Sequence, residues 1–559
     1  MVHPYTCALT GEQFLVSSEE LALRDTIGVP PPTLSPDERA RRVLARRNER
    51  VLFRRTCSGS GAPTISIHSP HASFPVYSQE YWWSDSWDQY AHGRDYDFSR
   101  GFFEQFADLY RVVPQLGLNA PNCENSDWNN QSCDLKNCYM MFCSGFAEQC
   151  MYGMWNTHSE NCIDCTGAFY CRWCYQLFNC NNCFQCSYSD NLEQCTDCMF
   201  SRELISCTDC IACVGLQHKQ YCYFNEQLTK SEYQRIKNEL RLTTRSGVIA
   251  LQKRFDEFQK RFPRRHFNGM LLDSSDGDYL IRTENVHNSY NFRESKNLWH
   301  CRDGWKCNDS IGLLETWTMD HCVETEGGLA GTHSGFTNKL WEGGEVWYSS
   351  HIYYSKEIFG CVSLRHAEYC ILNKRYSKDE YHDLRARIIA QMKHNGEWGE
   401  NFPIKDSPFA YNLSMAQEYF PLTKEQALQR GYRWEDRADS VASATVGWDV
   451  PDDINLVQDT EALANVIQCT ESGKLFKLQK AELAFYKNQG IPLPVVHYDA
   501  RFYNRMNKRR NPRKLHPGSC AYCSTPFLTT YPPDSGYYVA CERCFSEHRD
   551  QVVDPGIHS

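Results

Sequence analysis

No apolar run in the chain approaches the roughly 18 to 20 residues needed to span a bilayer, although hydrophobic residues make up 41% of its 559 positions. A chain threaded through a membrane by helices is thereby excluded, and no membrane partner is expected. Excess positive charge is lacking too. The 59 Lys and Arg against 69 Asp and Glu leave a net −10, which rules out an overall basic coat for nucleic acid but not local patches. The common catalytic signatures are missing: there is no G-x-S-x-G, P-loop GKS/T, H-E-x-x-H or strand-borne dinucleotide fingerprint. The opening MVHPYTCALTGEQF has no basic-then-apolar leader, so the expectation is an unexported, cytoplasmic chain. Aromatic residues at 13% and charged residues at 23% exclude wholesale disorder, and the length implies two to four folding units.

Cysteine is the abundant residue. There are 30, of which 18 fall between Cys123 and Cys222. A reducing compartment keeps such thiols free, so buried filler or metal ligation is the expected use, with disulfides a distant third.

Three internal duplications organise the sequence. The ends match each other: Cys7-ALTGEQF with Cys469-TESGKLF, EELALRDTIGVPPP with AELAFYKNQGIPLP, and RRNERVLFRRT-Cys57 with RRNPRKLHPGS-Cys520. CVGLQHKQYCYFNEQLTKSEY from Cys213 matches CVSLRHAEYCILNKRYSKDEY from Cys361, and each copy ends in a capping box, Thr229 with Glu232 and Ser377 with Glu380. The third repeat is short. From Cys162 to Cys222 every interval between cysteines is a multiple of three, and Cys162, Cys180 and Cys198 stand 18 apart. That spacing fits neither a helix nor a free strand but suits a chain that turns corners, and 18 residues suggest a three-sided coil of about six residues per side. Asn161, Asp164, Asn179, Asn181, Asn182, Asp190, Asn191, Asp197 and Asp209 suit such corners, because Asn and Asp tolerate left-handed backbone.

Two uses of the interior thiols stand side by side. They can be small hydrophobic filler, or Cys180-x2-Cys183-x2-Cys186 and Cys207-x2-Cys210-x2-Cys213 can hold iron–sulfur clusters or zinc. Neither triplet has the further Cys-Pro of the ferredoxin run.

The strongest single motif is Cys520-x2-Cys523 followed by Cys541-x2-Cys544. Four thiolates in that arrangement hold one structural zinc ion in closed, tetrahedral coordination. TPFLTTYPPDSGYYVA between the knuckles reads as two strands about a turn. The N-terminal copy puts Cys57 at the place of Cys520 but Ser60, Ser78 and Tyr81 at the other three ligand positions, so no zinc is expected there. Its hairpin, VYSQEYWWSDSWDQY, offers aromatic packing instead, or an exposed stacking platform.

Two segments are locally basic. Residues 39–55 hold eight arginines, and Arg501, Arg505, Lys508, Arg509, Arg510, Arg513 and Lys514 form an acid-free run. They can grip RNA or DNA phosphates, or dock the end modules onto the acidic remainder of the chain. Glu315, Asp320, His321, Glu324 and Glu326 beside EGGLAGTHSGF are the nearest thing to an acidic catalytic group, and equally suit the polar outside of coils.

HAEYCILNKRYSKDEY, GEWGENFPIKDSPFAYNLSMAQEYFPLTKEQALQRGYRW, VYSQEYWWSDSWD and the RRNPRKL…C-x2-C…CERCF ending resemble a family of large, cysteine-rich, zinc-ribbon-ended proteins from candidate-phyla bacteria of very small genome. The resemblance runs nearly end to end. Members are often labelled as CoA-transferases, whose motifs this chain lacks. The resemblance implies architecture and no activity, and the looser cysteine spacing of the second block departs from it.

The expected fold is mainly β with helical spacers, two Cys-rich β-solenoid blocks flanked by duplicated zinc-ribbon or treble-clef-like end modules. In order these are a metal-free module over 1–92 and a helical linker over 93–122 with its helix near Phe102 to Val112. Solenoid one over 123–228, a helical spacer over 229–266 and solenoid two over 267–376 come next. A capped helix over 377–396, a connector over 397–465 and the zinc module over 466–559 complete the chain. The expected function is a non-enzymatic zinc-binding scaffold or interaction protein. Its alternatives are a nucleic-acid-binding protein acting through the basic ends, and a redox or metal-storage protein using the cysteine ladder.

Overall fold

The structure is a computed structural model that describes residues 1–436 and 448–553. Part of the expected connector (437–447) and the last residues of the end module (554–559) lie outside the described residues. The chain is mixed, with one 13-stranded sheet, many short ladders and numerous helices.

Between residues 124 and 217 parallel bridges recur at a constant offset of twelve: Glu124 to Lys136, Lys136 to Glu148, Glu148 to Glu160. Every third residue has positive φ, among them Asn122, Asn125, Trp128 and Gln131. Four corners therefore fall in each twelve-residue period, and a side is three residues long. This corrects the three-sided, 18-residue coil inferred from the cysteines. Their spacing in threes is the side length, and intervals of 18 recur only because 18 is also a multiple of three. Of the nine Asn and Asp expected at corners, all but Asn181 and Asp190 have positive φ.

Each triplet gives its backbone N–H groups separate tasks. The bridging residue donates to the following coil, as Lys136 does to the Ala147 carbonyl at 3.0 Å, and the corner residue donates to the preceding coil, as Gln149 does to Lys136 at 2.9 Å. The third residue points its side chain inward, and a side chain one coil earlier accepts its N–H. Ser144 donates to Ser132 Oγ at 3.2 Å, Cys150 to Cys138 Sγ at 3.4 Å and Leu192 to Cys180 Sγ at 3.4 Å. The thiols donate in turn, Cys162 Sγ lying 3.4 Å from both the Glu160 and Cys171 carbonyls. A buried N–H must find a partner, so a small side chain that both accepts and donates is favoured at many interior positions, beside Leu135, Leu177, Leu192, Leu204 and Leu216 that fill others. Cys and Ser are such side chains. Cys138, Cys150, Cys162, Cys174, Cys186, Cys198, Cys210 and Cys222 form one such file, each at most 2% exposed.

The second ladder keeps the offset of twelve, as in Leu280 to Phe292, Arg302 to Leu314 and Ile358 to Cys370. Its core is filled more by Leu, Val and Ile, which is why its cysteines are sparse. The two ladders lie side by side and run in opposite directions. Tyr279 Oη donates to Asn191 at 3.2 Å, Arg293 lies 5.5 Å from the Phe169 ring, and Cys143 Sγ is 3.4 Å from Glu315.

Each ladder closes with a short antiparallel return, Glu226–Gln227 or Lys374–Arg375, and a capped helix, Lys230–Glu239 or Lys378–His394. Both capping boxes are formed, and Tyr233 and Tyr381 bury the helices against their ladders. The helix Phe102–Val112 packs Phe102 against Tyr348 and Phe359 of the second ladder.

Two expected hairpins are replaced. In the N-terminal module Val76–Tyr77 pairs with Gln115–Leu116, and Gln79–Trp83 is a helix because Ser78 caps it by accepting the Tyr81 N–H. Its indoles pack inward, Trp82 and Trp83 against Tyr353 with ring centroids 5.4 and 5.0 Å apart. In the C-terminal module Pro526–Thr529 pairs across the first knuckle with His516–Ser519, while Val539–Ala540 pairs with Arg264–Arg265.

Candidate metal centre

Cys520 follows the strand His516–Ser519, and the antiparallel return at Pro526 folds the knuckle so that Cys523 faces back toward it. Cys541 is the N-cap of the helix Glu542–His548, and Cys544 lies in its first turn. The pairing of Val539–Ala540 with Arg264–Arg265 fixes that helix start. All four sulfurs lie within 4.8 Å of one another, with Cys523 Sγ 3.7 Å from Cys541 Sγ. Tetrahedral Zn–S bonds of about 2.3 Å place sulfurs about 3.8 Å apart, so the spacing fits.

The N–H groups of Tyr522 and Cys541 each donate to Cys520 Sγ at 3.4 Å, which favours thiolate. The Thr525 hydroxyl and N–H hold the Cys523 thiol down to about 6, while burial and the neighbouring thiols push Cys544 up to about 12. An ion binding here displaces protons, so its affinity rises with pH. Cys520 and Cys544 are buried and the other two half-buried. The four thiols could hold one metal ion.

The ladder thiols are arranged differently. Successive members of the 180, 183, 186 and 207, 210, 213 runs occupy adjacent sides of the coil, so the middle thiols Cys183 and Cys210 touch their neighbours on either side without any three sulfurs closing around one point. Among the described residues, the C-terminal quartet is the only set of three or more thiols gathered within 4.8 Å.

The basic run is spent inside the chain. Arg501 and Arg505 pair with Asp164 at 2.8 and 3.1 Å. Arg509 pairs with Asp303, Arg510 with Asp278 at 2.6 Å, and Arg513 donates to Asn291 at 3.0 Å. Arg501, Arg505, Arg509 and Arg513 are at most 5% exposed. Lys508 and Lys514 are more open and pair with Asp190 and Asp37 at 2.7 and 2.8 Å. Some of the N-terminal arginines do likewise, Arg39 meeting Glu324 at 3.0 Å and Arg47 sitting among Glu49, Glu315 and Glu326, whereas Arg54 is exposed.

The acidic group around EGGLAGTHSGF divides. Glu315, Glu324 and Glu326 are taken by those arginines, whereas Asp320 and His321 sit with Asp309 on a half-exposed corner, within reach of one cation. Nothing further there points to a ligand. Asp164, Asp278 and Asp303, the partners of the basic run, escaped the sequence reading as site residues. Their only signal is acid on a ladder whose interior needs none. Among the described residues no helix is long and apolar enough to cross a membrane.

No protein-family model matches the chain, and no curated protein matches it.

Proposed function

We propose that the protein is a non-enzymatic scaffold held by one structural zinc ion and built on two β-solenoids of twelve-residue, four-sided coils, with a protein partner as its cargo. The observation that carries the metal is the quartet Cys520, Cys523, Cys541 and Cys544, whose sulfurs stand at tetrahedral-zinc spacing. What supports a scaffold over nucleic-acid binding is the destination of the basic side chains, since a guanidinium buried on a carboxylate is not available to a phosphate. What supports zinc over an iron–sulfur cluster is the closed knuckle-and-helix frame. Rigid coils with helix-covered ends suit a binding wall. Membership of the cysteine-rich candidate-phyla family that the sequence resembles is part of the same proposal.

Elemental analysis of the purified chain is the test. One zinc per chain and no iron is the expected result. Iron with acid-labile sulfide, or several metals per chain, would transfer the ladder thiols from filler to ligands and end the scaffold reading.

A further inference from the structure

The Cys520 knuckle has three counterparts that share its hydrogen bonds in full. At Cys7, Cys57, Cys469 and Cys520 the cysteine N–H donates to the carbonyl five residues on, of Glu12, Ala62, Lys474 and Thr525, at 2.8 to 3.0 Å. The N–H four residues on, of Gly11, Gly61, Gly473 and Ser524, returns to the cysteine carbonyl at 2.9 to 3.0 Å. Each of those four residues has positive φ, between 57° and 74°. The next residue after each cysteine donates to a distant extended segment: Ala8 to Thr33, Ser58 to Val76, Thr470 to Val495, Ala521 to Val539, at 2.8 to 3.0 Å.

Two residues beyond each of those acceptors stands the N-cap of a helix: Ser35, Ser78, His497 and Cys541. The N-cap N–H then donates to the knuckle sulfur. This holds for Ser78 to Cys57 at 3.2 Å, His497 to Cys469 at 3.2 Å and Cys541 to Cys520 at 3.4 Å, and the Ser35 N–H approaches Cys7 in the same way. The four ligand positions of the last unit therefore map, register for register, to Cys7, Thr10, Ser35 and Glu38, to Cys57, Ser60, Ser78 and Tyr81, and to Cys469, Ser472, His497 and Ala500.

We infer that the chain contains four copies of one zinc-binding knuckle-and-helix unit, three of which have exchanged the ion for a thiol-centred set of hydrogen bonds and keep the geometry of a metal site. The inference rests on the quartet being a zinc site. In each relic the surviving sulfur accepts the N–H groups that would otherwise support a metal thiolate. Ser60 and Ser472 donate to Cys57 and Cys469 at 3.4 and 3.3 Å. In the second unit the Tyr81 ring occupies the space between knuckle and helix, so close to Gly59 that a Cβ there would meet it at 2.1 Å. These frames position the helices Pro36–Leu44 and Tyr498–Met506, which carry the arginines that dock on the ladders. The frame is thus retained for a mechanical reason after its ligands are lost.

The test is ligand restoration in the full-length chain, with zinc or cobalt(II) alone as probe. S60C/S78C/Y81C rebuilds the second unit and S472C/H497C/A500C the third. Each is expected to bind one metal equivalent more than the wild-type chain, with the cobalt thiolate charge-transfer band rising by one site's worth. The readout is the difference from wild type, so a wild-type chain without zinc would defeat the proposed function while leaving this comparison intact. Gain of one equivalent in either variant supports the inference. No gain in either, including loss of the folded chain in both, overturns it.

Discussion

Arg505 Nη1 lies 3.1 Å from Asp164 Oδ1, and that carboxylate, with no exposure of its own, also receives Arg501 at 2.8 Å. One corner residue of the first ladder thereby holds two guanidinium groups of the C-terminal module. Deleting one partner of a buried pair leaves an uncompensated charge and costs about 3 to 5 kcal/mol. Asp164→Ala is expected to lose that much in urea unfolding. Asp190→Ala, whose partner Lys508 is 39% exposed, should lose under about 1 kcal/mol. Equal losses would deny Asp164 its special place.

The same burial bears on nucleic acid. Phosphate contacts make affinity fall steeply with salt, and the basic run has its cations engaged internally. The full-length chain mixed with single-stranded RNA or duplex DNA should show no salt-dependent binding. A log–log slope of several units in fluorescence titrations at two or more salt concentrations would show that a separate cationic surface exists.

Legibility in the sequence follows physical reach. The spacing in threes was readable because each side of the coil must return one small side chain to the interior. The coil length is obscured, although the file from Cys138 to Cys222 repeats at twelve, because intervals of 18 compete with it among denser cysteines. The capping boxes and the helix Phe102–Val112 are local events, and so are visible in a few adjacent residues. The gathering of Cys520, Cys523, Cys541 and Cys544 was legible because the four cluster in sequence. The fate of Arg501 and Arg505 was not, since Asp164 lies more than 300 residues away and nothing in composition names a partner. The hairpin at Tyr81 failed for a related reason: Ser78 caps a helix there, and tryptophans that suit a strand also suit a short buried helix.

The metal should hold the last module to the start of the second ladder. The Arg264 N–H donates to the Tyr538 carbonyl at 2.7 Å and His266 to Ala540 at 3.0 Å, immediately before Cys541. If the quartet holds the proposed ion, Cys541→Ser is therefore expected to lose it and to speed amide exchange at Arg264 and His266. Ladder amides such as those of Cys150 and Leu192 should keep their protection. Unchanged exchange at Arg264 in a zinc-free variant would separate the docking from the ion.

Interior thiols should obey a simple order of substitution. Cys180 Sγ accepts the Leu192 N–H at 3.4 Å, as Ser132 Oγ accepts that of Ser144 at 3.2 Å. Cys180→Ser keeps an acceptor and is expected to cost less than Cys180→Ala, which leaves a buried N–H unpaired at about 1 to 3 kcal/mol. Thermal unfolding ranks them. If alanine proves the milder change, the thiol is filler by volume and its hydrogen bond is incidental.

His497 gives the C-terminal module an acid sensitivity. Its Nδ1 accepts the Asp499 N–H at 3.1 Å to cap the helix Tyr498–Met506, a task only the neutral ring performs. Burial holds its pKa down to about 4, with Lys474, Arg501 and Arg50 adding to the effect and Asp499 opposing it. The unfolded chain takes up this proton near pH 6.5. Between about 6.5 and 4 the unfolded state therefore binds more protons, and the contribution present above this window is lost as pH falls through it, amounting to roughly 3 kcal/mol. His497→Asn retains a capping oxygen without the titration. Its unfolding free energy should fall less between pH 6.5 and 5 than that of the wild-type chain, and parallel curves for the two would remove His497 as the cause.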